Sequence, residues 1–169
     1  KAYTKAIAES YGIPTAKGIT ITDVTYQHSP DTAISSAERD IDYPMFVKAA
    51  GLGSSVGVYR AENRRELILA CQDIIALGSH RILIEEAIDV ASELECAVLL
   101  TQKHRIFSDL SEIRCDGGFY TYERKYSDGG ATVTAHAKVP QSIREQVREY
   151  TRILADALGT RHLSRFDFF

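Results

Sequence analysis

The chain has 169 residues, of which 44% are hydrophobic and 25% charged, and its formal net charge is −3. This composition is typical of a soluble globular protein of one domain or two small ones, and no apolar stretch approaches the roughly 20 residues that a membrane span needs. The weak negative charge excludes a broad attractive field for a nucleic-acid backbone. We therefore expect small-molecule partners, with neither nucleic acid nor membrane among them.

The cysteines and the chain ends indicate the setting of the protein. Cys71, Cys96 and Cys115 are odd in number and show no paired spacing, which favours a reducing, cytoplasmic environment. The sequence opens at Lys1 without an initiator methionine and stops at Phe169 inside a predicted strand. We expect a fragment of a longer cytoplasmic protein.

The first quarter of the chain predicts one helix, one strand and an irregular stretch. The helix spans Lys1 to Tyr11 and is closed by Gly12 before a proline. A strand follows near Ile19. Residues 23–42 are polar and without a clear period, so we expect irregular structure there.

The next segment predicts a strand hairpin. Met45, Phe46 and Val47 form a buried apolar run, and Val56 to Tyr59 resume an extended pattern after the glycine-rich stretch 51–57. The glycine-rich stretch should therefore connect two paired strands.

The remainder of the chain predicts two helices and a sheet-rich half. Asn63 with Glu66 resembles a capping box and opens a helix that ends at Gly78. A second helix runs from about Pro140 to Gly159. Strands are predicted over Arg81–Ile88, Glu93–Leu100, Ile106–Ile113 and Thr132–Val139, and from about Leu163.

The order of these elements favours an α+β fold. Strands and helices alternate irregularly, without the repeated strand–helix–strand rhythm of a doubly wound sheet. We predict two α+β lobes, 1–88 and 89–169.

The glycine-rich stretch Gly51–Gly57 can point backbone N–H groups at phosphate oxygens. It lacks the lysine that ends a Walker A loop, and its glycine spacing does not match the dinucleotide fingerprint or the protein-kinase loop. A solvent-facing hairpin turn would also use glycine and serine. The stretch alone leaves both interpretations open.

Several charged side chains accompany the predicted strands. An ammonium at Lys48, after an apolar run, needs an anionic partner, which either a nucleotide phosphate or an ordinary salt bridge could supply. Glu85 and Glu86 follow a buried run, and Glu93 and Glu95 share one face of the next strand. These carboxylates are either nucleoside contacts or solvated charges at a sheet edge.

Taken in order, these motifs resemble the D-alanine–D-alanine ligase family of ATP-grasp enzymes over nearly the whole chain. The matching stretches are KAYTK at 1–5, GIP at 12–14, YPMFVK at 43–48, GSSVG at 53–57, LIEE at 83–86, ELE at 93–95, FYTYERKY at 119–126 and RFDFF at 165–169. Ala49 departs from the proline that the family usually has after the lysine.

The resemblance implies an ATP-grasp fold, with the nucleotide held between antiparallel sheets of two lobes. In it, Lys1 and Lys48 hold the ATP phosphates, and residues 53–57 form a flap over them. The implied flap residues are Gly53, Ser54, Ser55, Val56 and Gly57, and the implied adenine and ribose contacts are Glu85, Glu86, Ile88 and Glu93.

The resemblance also implies the catalytic groups. Residues 115–130 are similar to the family's mobile ω-loop, in which Lys125 approaches the γ-phosphate and Tyr126 closes over the substrate with Ser54. Arg165 resembles the arginine that stabilises the oxyanion, and Asp167 resembles a carboxylate ligand of Mg²⁺ or Mn²⁺. An ion pair between Arg165 and Asp167, two positions apart on one strand, is the alternative from the residues alone.

The implied activity is ATP-dependent joining of two D-alanines through an acyl-phosphate, for peptidoglycan precursor synthesis. Tyrosine at 126 favours D-alanine over D-lactate as second substrate, and we expect the full-length parent to be a homodimer. Because the family has a further metal-binding strand and an N-terminal domain, we expect this fragment to be inactive alone. The alternative is the nucleotide-binding part of another ATP-grasp carboxylate–amine ligase.

Overall fold

The computed structural model describes residues 1–90, 92–101, 103–114 and 132–169, which form two compact units. The first unit comprises Lys1–Lys5 and Pro14–Asp89, and the second comprises Ala6–Ile13 and Val90–Phe169. The first helix, α1 (Ala2–Ser10), therefore starts in one unit and continues in the other. No helix in the described part of the chain has the length and apolar character that a membrane crossing requires.

The first unit is a four-stranded antiparallel sheet covered by helices on one face. Its strands lie in the order β1-β4-β2-β3, with α3 packed against β1 and α4 against β2 and β3. The bounds are β1 Gly18–Thr22, α2 Asp23–His28, α3 Pro30–Asp40, β2 Met45–Ala49, β3 Val58–Ala61, α4 Arg64–Ala76 and β4 Arg81–Glu86.

Alternation of side chains divides β4 and β2 between two faces. Ile82 and Ile84 of β4, and Met45 and Val47 of β2, face the helices and are buried in one core. Glu85 therefore faces the other way, as does Lys48. The helix-covered face therefore forms the apolar core, and the opposite face carries charged side chains.

The second unit is a five-stranded antiparallel sheet packed on one long helix. Its central strand β5 pairs with β9 along one edge and with β6 and β7 along the other, and β8 extends the sheet beyond β7. Val147, Leu154 and Ala155 of the helix pack against this sheet. The bounds are β5 Glu93–Leu100, β6 Arg105–Phe107, β7 Ser111–Arg114, β8 Thr132–Thr134, α5 Gln141–Ala157 and β9 His162–Phe168.

Most predicted elements are confirmed. The hairpin of β2 and β3 pairs Lys48 with Val58, directly after the glycine-rich stretch. Asn63 caps α4 by accepting a hydrogen bond from the Glu66 N–H at 3.1 Å, and Glu66 reaches back to the N–H of Glu62 at 2.8 Å. The pattern is a variant of the capping box, because Glu66 accepts from the N–H of the residue before the cap and not from the cap residue itself.

The prediction of irregular structure over 23–42 was wrong, because this stretch forms α2 and α3. Thr22 caps α2 through a hydrogen bond from the Thr25 N–H at 3.0 Å, and Pro30 occupies the first turn of α3. α3 buries only Ala33, Ile34 and Ala37, so its apolar stripe is too narrow to stand out in a polar sequence.

The predicted strand over 106–113 is divided. β6 and β7 pair with different ends of β5, and buried Leu110 lies in the connection between them. The strand predicted over 132–139 is likewise shorter and ends at Thr134. In both cases the partner strand sets the limits of pairing, and the alternation of polarity does not reveal them.

Candidate functional site

The face of the first sheet opposite α3 and α4 carries a buried group of charges around Glu85. The Glu85 carboxylate accepts from Lys48 Nζ at 2.5 Å and from Lys5 Nζ at 3.1 Å. The side chains of Glu85, Lys5 and Lys48 are only 10%, 11% and 18% exposed. We call Lys5, Lys48 and Glu85 the charged triad; it has one more positive than negative charge.

Strand register brings these groups together. β2 and β4 are antiparallel neighbours with Phe46 opposite Glu85, so Lys48 lies diagonally across from the carboxylate on the same face. Gly18 of β1 is the other partner of Glu85, and a Cβ there would lie 2.7 Å from the Ile84 carbonyl oxygen and 3.0 Å from Glu85 Cγ. The absent side chain at 18 makes room for the carboxylate.

The surroundings of Glu85 keep it ionised. Burial acts to raise the pKa of this carboxyl, but the charges and hydrogen bonds of Lys48 and Lys5 together lower the pKa below its ordinary value. The carboxylate is therefore a stable anchor for both lysines near neutral pH.

Lys5 is the member of the triad that the sequence analysis did not identify as a site residue. It lies one helical turn after Lys1 in α1 and also donates to the Ala16 carbonyl oxygen. The spacing of Lys1 and Lys5, four residues apart, was the available signal, because such residues lie on the same side of a helix.

The glycine-rich loop adjoins this face through the end of β2. Ser54, Ser55 and Gly57 have positive φ angles of 50°, 60° and 65°, and the Val56 N–H donates to the Gly53 carbonyl at 3.0 Å. Left-handed backbone is unusual for serine and is found most often where a tight turn has a function. The loop is thus a tight turn with left-handed backbone at two serines and one glycine.

Lys1 ties the start of α1 to this loop. Its Nζ donates to the Ala49 carbonyl at 2.9 Å and to the Leu52 carbonyl. Lys1, Lys48 and the loop 53–57 therefore belong to one region of the first unit. Gly57 closes the loop, since its carbonyl accepts from the Ala49 N–H at 2.7 Å.

Two more of the implied nucleoside contacts, Glu86 and Ile88, lie at or just after the end of β4. Glu86 accepts a hydrogen bond from the Lys17 N–H at 2.6 Å, so its carboxylate is bound to the backbone just before β1. Ile88 follows the strand and is 41% exposed. Lys125 and Tyr126 lie outside the described residues.

A second charged group occupies one face of the second sheet. Arg165 donates from Nε to Asp167 Oδ1 at 2.8 Å, so the ion pair that was the alternative interpretation does form. Its Nη1 lies 2.9 Å from Glu95 Oε1, and Glu95 Oε2 accepts from Ser111 Oγ at 3.0 Å. Glu93 lies two residues before Glu95 on the same face of β5.

The fit of a divalent metal ion rests on Asp167. Mg²⁺ is usually bound by one or two carboxylates together with substrate phosphates, and the side chain of Asp167 is 53% exposed. Within the described residues no group of three or more histidine, cysteine, aspartate or glutamate side chains is arranged for a metal ion. Asp167 thus fits as one oxygen ligand, with Glu95 as its direct neighbour across the strand pair.

Comparison with known proteins identifies the family. The family described as D-ala D-ala ligase C-terminus matches residues 7–169. The chain belongs to this ligase family. The match covers Lys48, Glu85, the second charged group and the glycine-rich loop between β2 and β3, whereas Lys1 and Lys5 precede the matched residues. The motif resemblance found in the sequence is confirmed.

Individual members of the family agree with this assignment. A D-alanine--D-alanine ligase of Chlorobaculum tepidum is 37% identical over 169 residues, which are 100% of this chain and 46% of the relative. The chain thus spans about half the length of the curated relatives it matches.

Solved structures of ligases share the fold. The VanG D-Ala:D-Ser ligase of Enterococcus faecalis superposes with a TM-score of 0.83 at 25% identity, over 100% of this chain and 47% of the other. D-alanyl-alanine synthetase A of Vibrio cholerae gives a TM-score of 0.80 at 29% identity, over 100% and 50%. The predicted α+β, ATP-grasp class is confirmed.

Proposed function

We propose that this chain is the ATP-binding part of a ligase that joins two D-alanines into D-alanyl-D-alanine for peptidoglycan precursor synthesis. The observation that carries the proposal is the charged triad beside a strained glycine-rich loop, in a chain that belongs to the ligase family. A buried face with excess positive charge, next to exposed loop backbone, suits a polyphosphate.

In the proposed reaction the carboxylate of one D-alanine attacks the γ-phosphorus of ATP and releases ADP. The amine of the second D-alanine then attacks the acyl-phosphate and displaces phosphate. The reacting groups are all negative, so cationic side chains must offset their repulsion; we assign this role to Lys1, Lys48 and Lys125. Arg165 would stabilise the oxyanion, a contribution typically worth about 3 kcal/mol.

The other candidate residues are assigned to substrate closure, nucleoside contact and metal binding. Ser54 and Tyr126 would close over the substrate, and Glu93 with Ile88 would contact the nucleoside. Asp167 would hold Mg²⁺ or Mn²⁺, which when bound neutralises phosphate charge and orients the phosphates. Glu86 would support the nucleoside site from the end of β4, since its carboxylate already accepts from a backbone N–H.

The charged triad indicates how ATP would engage Lys48. Lys48 shares Glu85 with Lys5, so a phosphate oxygen can attract the Lys48 ammonium while Lys5 continues to neutralise the carboxylate. Lys48 would thereby exchange one anionic partner for another. The cost of leaving Glu85 is reduced because Lys5 remains.

Calorimetric binding of Mg-ATP to this chain tests the nucleotide site. We expect saturable binding that Lys48→Ala weakens about a hundredfold or more, because a phosphate contact at an effective dielectric near 20 is worth on the order of 4 kcal/mol before desolvation. Lys138→Ala, which removes an exposed lysine of the second unit, is the matched control. Equal affinity in the Lys48 and Lys138 variants would contradict the proposal.

The substrate assignment is tested by phosphate release in a protein of the relatives' full length. We expect ATP hydrolysis to phosphate to rise at least about tenfold with D-alanine, and this chain alone to show no rise. D-serine and D-lactate serve as competing second substrates, since one structural neighbour is titled a D-Ala:D-Ser ligase. Turnover of other carboxylate–amine pairs, with none for D-alanine, would favour another ATP-grasp ligase instead.

We place the full-length ligase in the cytoplasm as a homodimer, with ATP and D-alanine as its small-molecule partners. The two cysteines in the described part of the chain, Cys71 and Cys96, are unpaired and buried, in keeping with a reducing environment.

A further inference from the structure

The Arg165 guanidinium is held on two sides by carboxylates of different character. Asp167 accepts from Nε at 2.8 Å and from Nη2 at 3.2 Å, whereas Glu95 lies 2.9 Å from Nη1. The three side chains lie on one face of adjacent strands, because Glu95 and Asp167 are direct partners across β5 and β9. The arginine thus has two anionic partners where one would neutralise it.

The two carboxylates differ in how firmly they are fixed. The side chain of Glu95 is 12% exposed and its second oxygen accepts from Ser111 Oγ at 3.0 Å, so the neighbouring strand β7 anchors it. The side chain of Asp167 is 53% exposed. Glu95 is therefore the fixed partner, and Asp167 is the partner able to turn away.

We propose that Glu95, anchored by Ser111, is the positioning residue of Arg165. When Asp167 is engaged elsewhere, Glu95 keeps hold of Nη1 and leaves the edge formed by Nε and Nη2 directed at an anion. A planar guanidinium gripped at one nitrogen can still offer two parallel donors to a carboxylate or phosphate oxygen pair. The roles of Asp167 as a metal ligand and of the bound anion rest on the proposed function. The contact between Glu95 and Arg165 Nη1 does not depend on it.

The restriction of Arg165 by Glu95 can be measured without nucleotide or metal through the ¹⁵N relaxation of the Arg165 Nε–H group. The Arg165→Lys variant assigns this resonance. Asp167→Ala removes the mobile partner, and we expect the Nε–H order parameter to stay near its wild-type value. Adding Glu95→Gln to Asp167→Ala should lower it below about 0.6, the range of a flexible group. Adding Ser111→Ala, which keeps the charge of Glu95, should give an intermediate loss.

The matched control adds Glu149→Gln to Asp167→Ala, since Glu149 pairs with Arg152 at 2.6 Å on α5, and it should leave Arg165 unchanged. If Asp167→Ala alone loosens Arg165 as far as the double variant with Glu95→Gln does, Glu95 does not position it and the inference is overturned. Circular dichroism of each variant checks that the fold is kept.

Titration of the wild-type chain with Mg²⁺ alone separates this inference from the metal role of Asp167. Binding should move the Arg165 Nε resonance towards its position in Asp167→Ala, with the order parameter retained. A resonance that does not move would contradict the proposed metal ligand, while retained order in Asp167→Ala would still support the grip of Glu95. Mg²⁺ binding accompanied by loss of order in the wild-type chain would overturn the inference.

Discussion

The Glu85→Gln variant should lose about 3 kcal/mol of unfolding free energy in the first unit. Removing one partner of a buried ion pair leaves the other charge without compensation, and here two lysine ammonium groups would remain beside a neutral side chain. The measurement is native-state hydrogen exchange of the β2 and β4 amides, which reports on this unit separately from the second.

The matched control for this substitution is Glu62→Gln. Glu62 lies 3.4 Å from Arg60, but both side chains are about half exposed, at 54% and 52%. An exposed pair contributes at most about 1 kcal/mol, so the control should change little. If both variants were destabilised equally, the buried ion pairs of the triad would stabilise the fold no more than an exposed pair does.

The same carboxylate predicts how stability depends on pH. Its pKa is lower in the folded chain than the ordinary value of 4.5, so its contribution is fully present above about pH 4.5 and is lost as the pH falls through the folded pKa. Exchange measured between about pH 6 and pH 3 should therefore show the wild type losing its advantage over Glu85→Gln. A constant difference across this window would mean that the charge of Glu85 is not the cause.

The Ile84→Ala variant should be destabilised by about 3 to 4 kcal/mol. Ile84 is fully buried on the central strand β4 and packs in the core beneath α3 and α4, where a truncated side chain leaves a cavity. Ile84→Val should lose only about 1 kcal/mol, because it removes a single methyl group. Hydrogen exchange of the same amides gives both values.

Ile84 and Glu85 are neighbours on opposite faces of one strand, which separates their effects. Ile84→Ala should keep the wild-type loss of stability as the pH falls below about 4.5, since the charged triad is untouched. Glu85→Gln should reduce that loss by the share that the Glu85 carboxylate contributes. A flattened pH profile in Ile84→Ala would mean that the two faces of β4 are not independent.

Much of the candidate site was predictable because its residues lie in local motifs. The lysine ending β2, the glycine-rich turn and the paired glutamates of β4 are each recognisable within a few residues of sequence. Their order along the chain led to the ligase family before any geometry was known. Lys5 was missed as a site residue, and Glu95 was predicted only as a nucleoside contact or a solvated charge, because the roles of both depend on partners far away in sequence.

The partner of Lys48 shows most clearly which contacts cannot be predicted from the sequence. An ammonium after an apolar strand requires an anion, and that requirement was evident from residues 45–48 alone. That the anion in this chain is Glu85, 37 residues later, depends on the pairing of β2 with β4. The register between strands that are not consecutive in the sequence is not encoded in any short segment.

The sequence by itself determined the family, the hairpin around the glycine-rich loop, the capped helix α4 and the long helix α5, since each is specified by local periodicity or a short motif. Only the tertiary structure decided that 23–42 is helical, where 106–113 divides, and that Glu95 shares Arg165 with Asp167. The physical reason is the same in each case. A narrow apolar stripe forms a helix, a strand ends, and a cross-strand ion pair forms according to the elements packed beside them. Those elements come from distant parts of the chain.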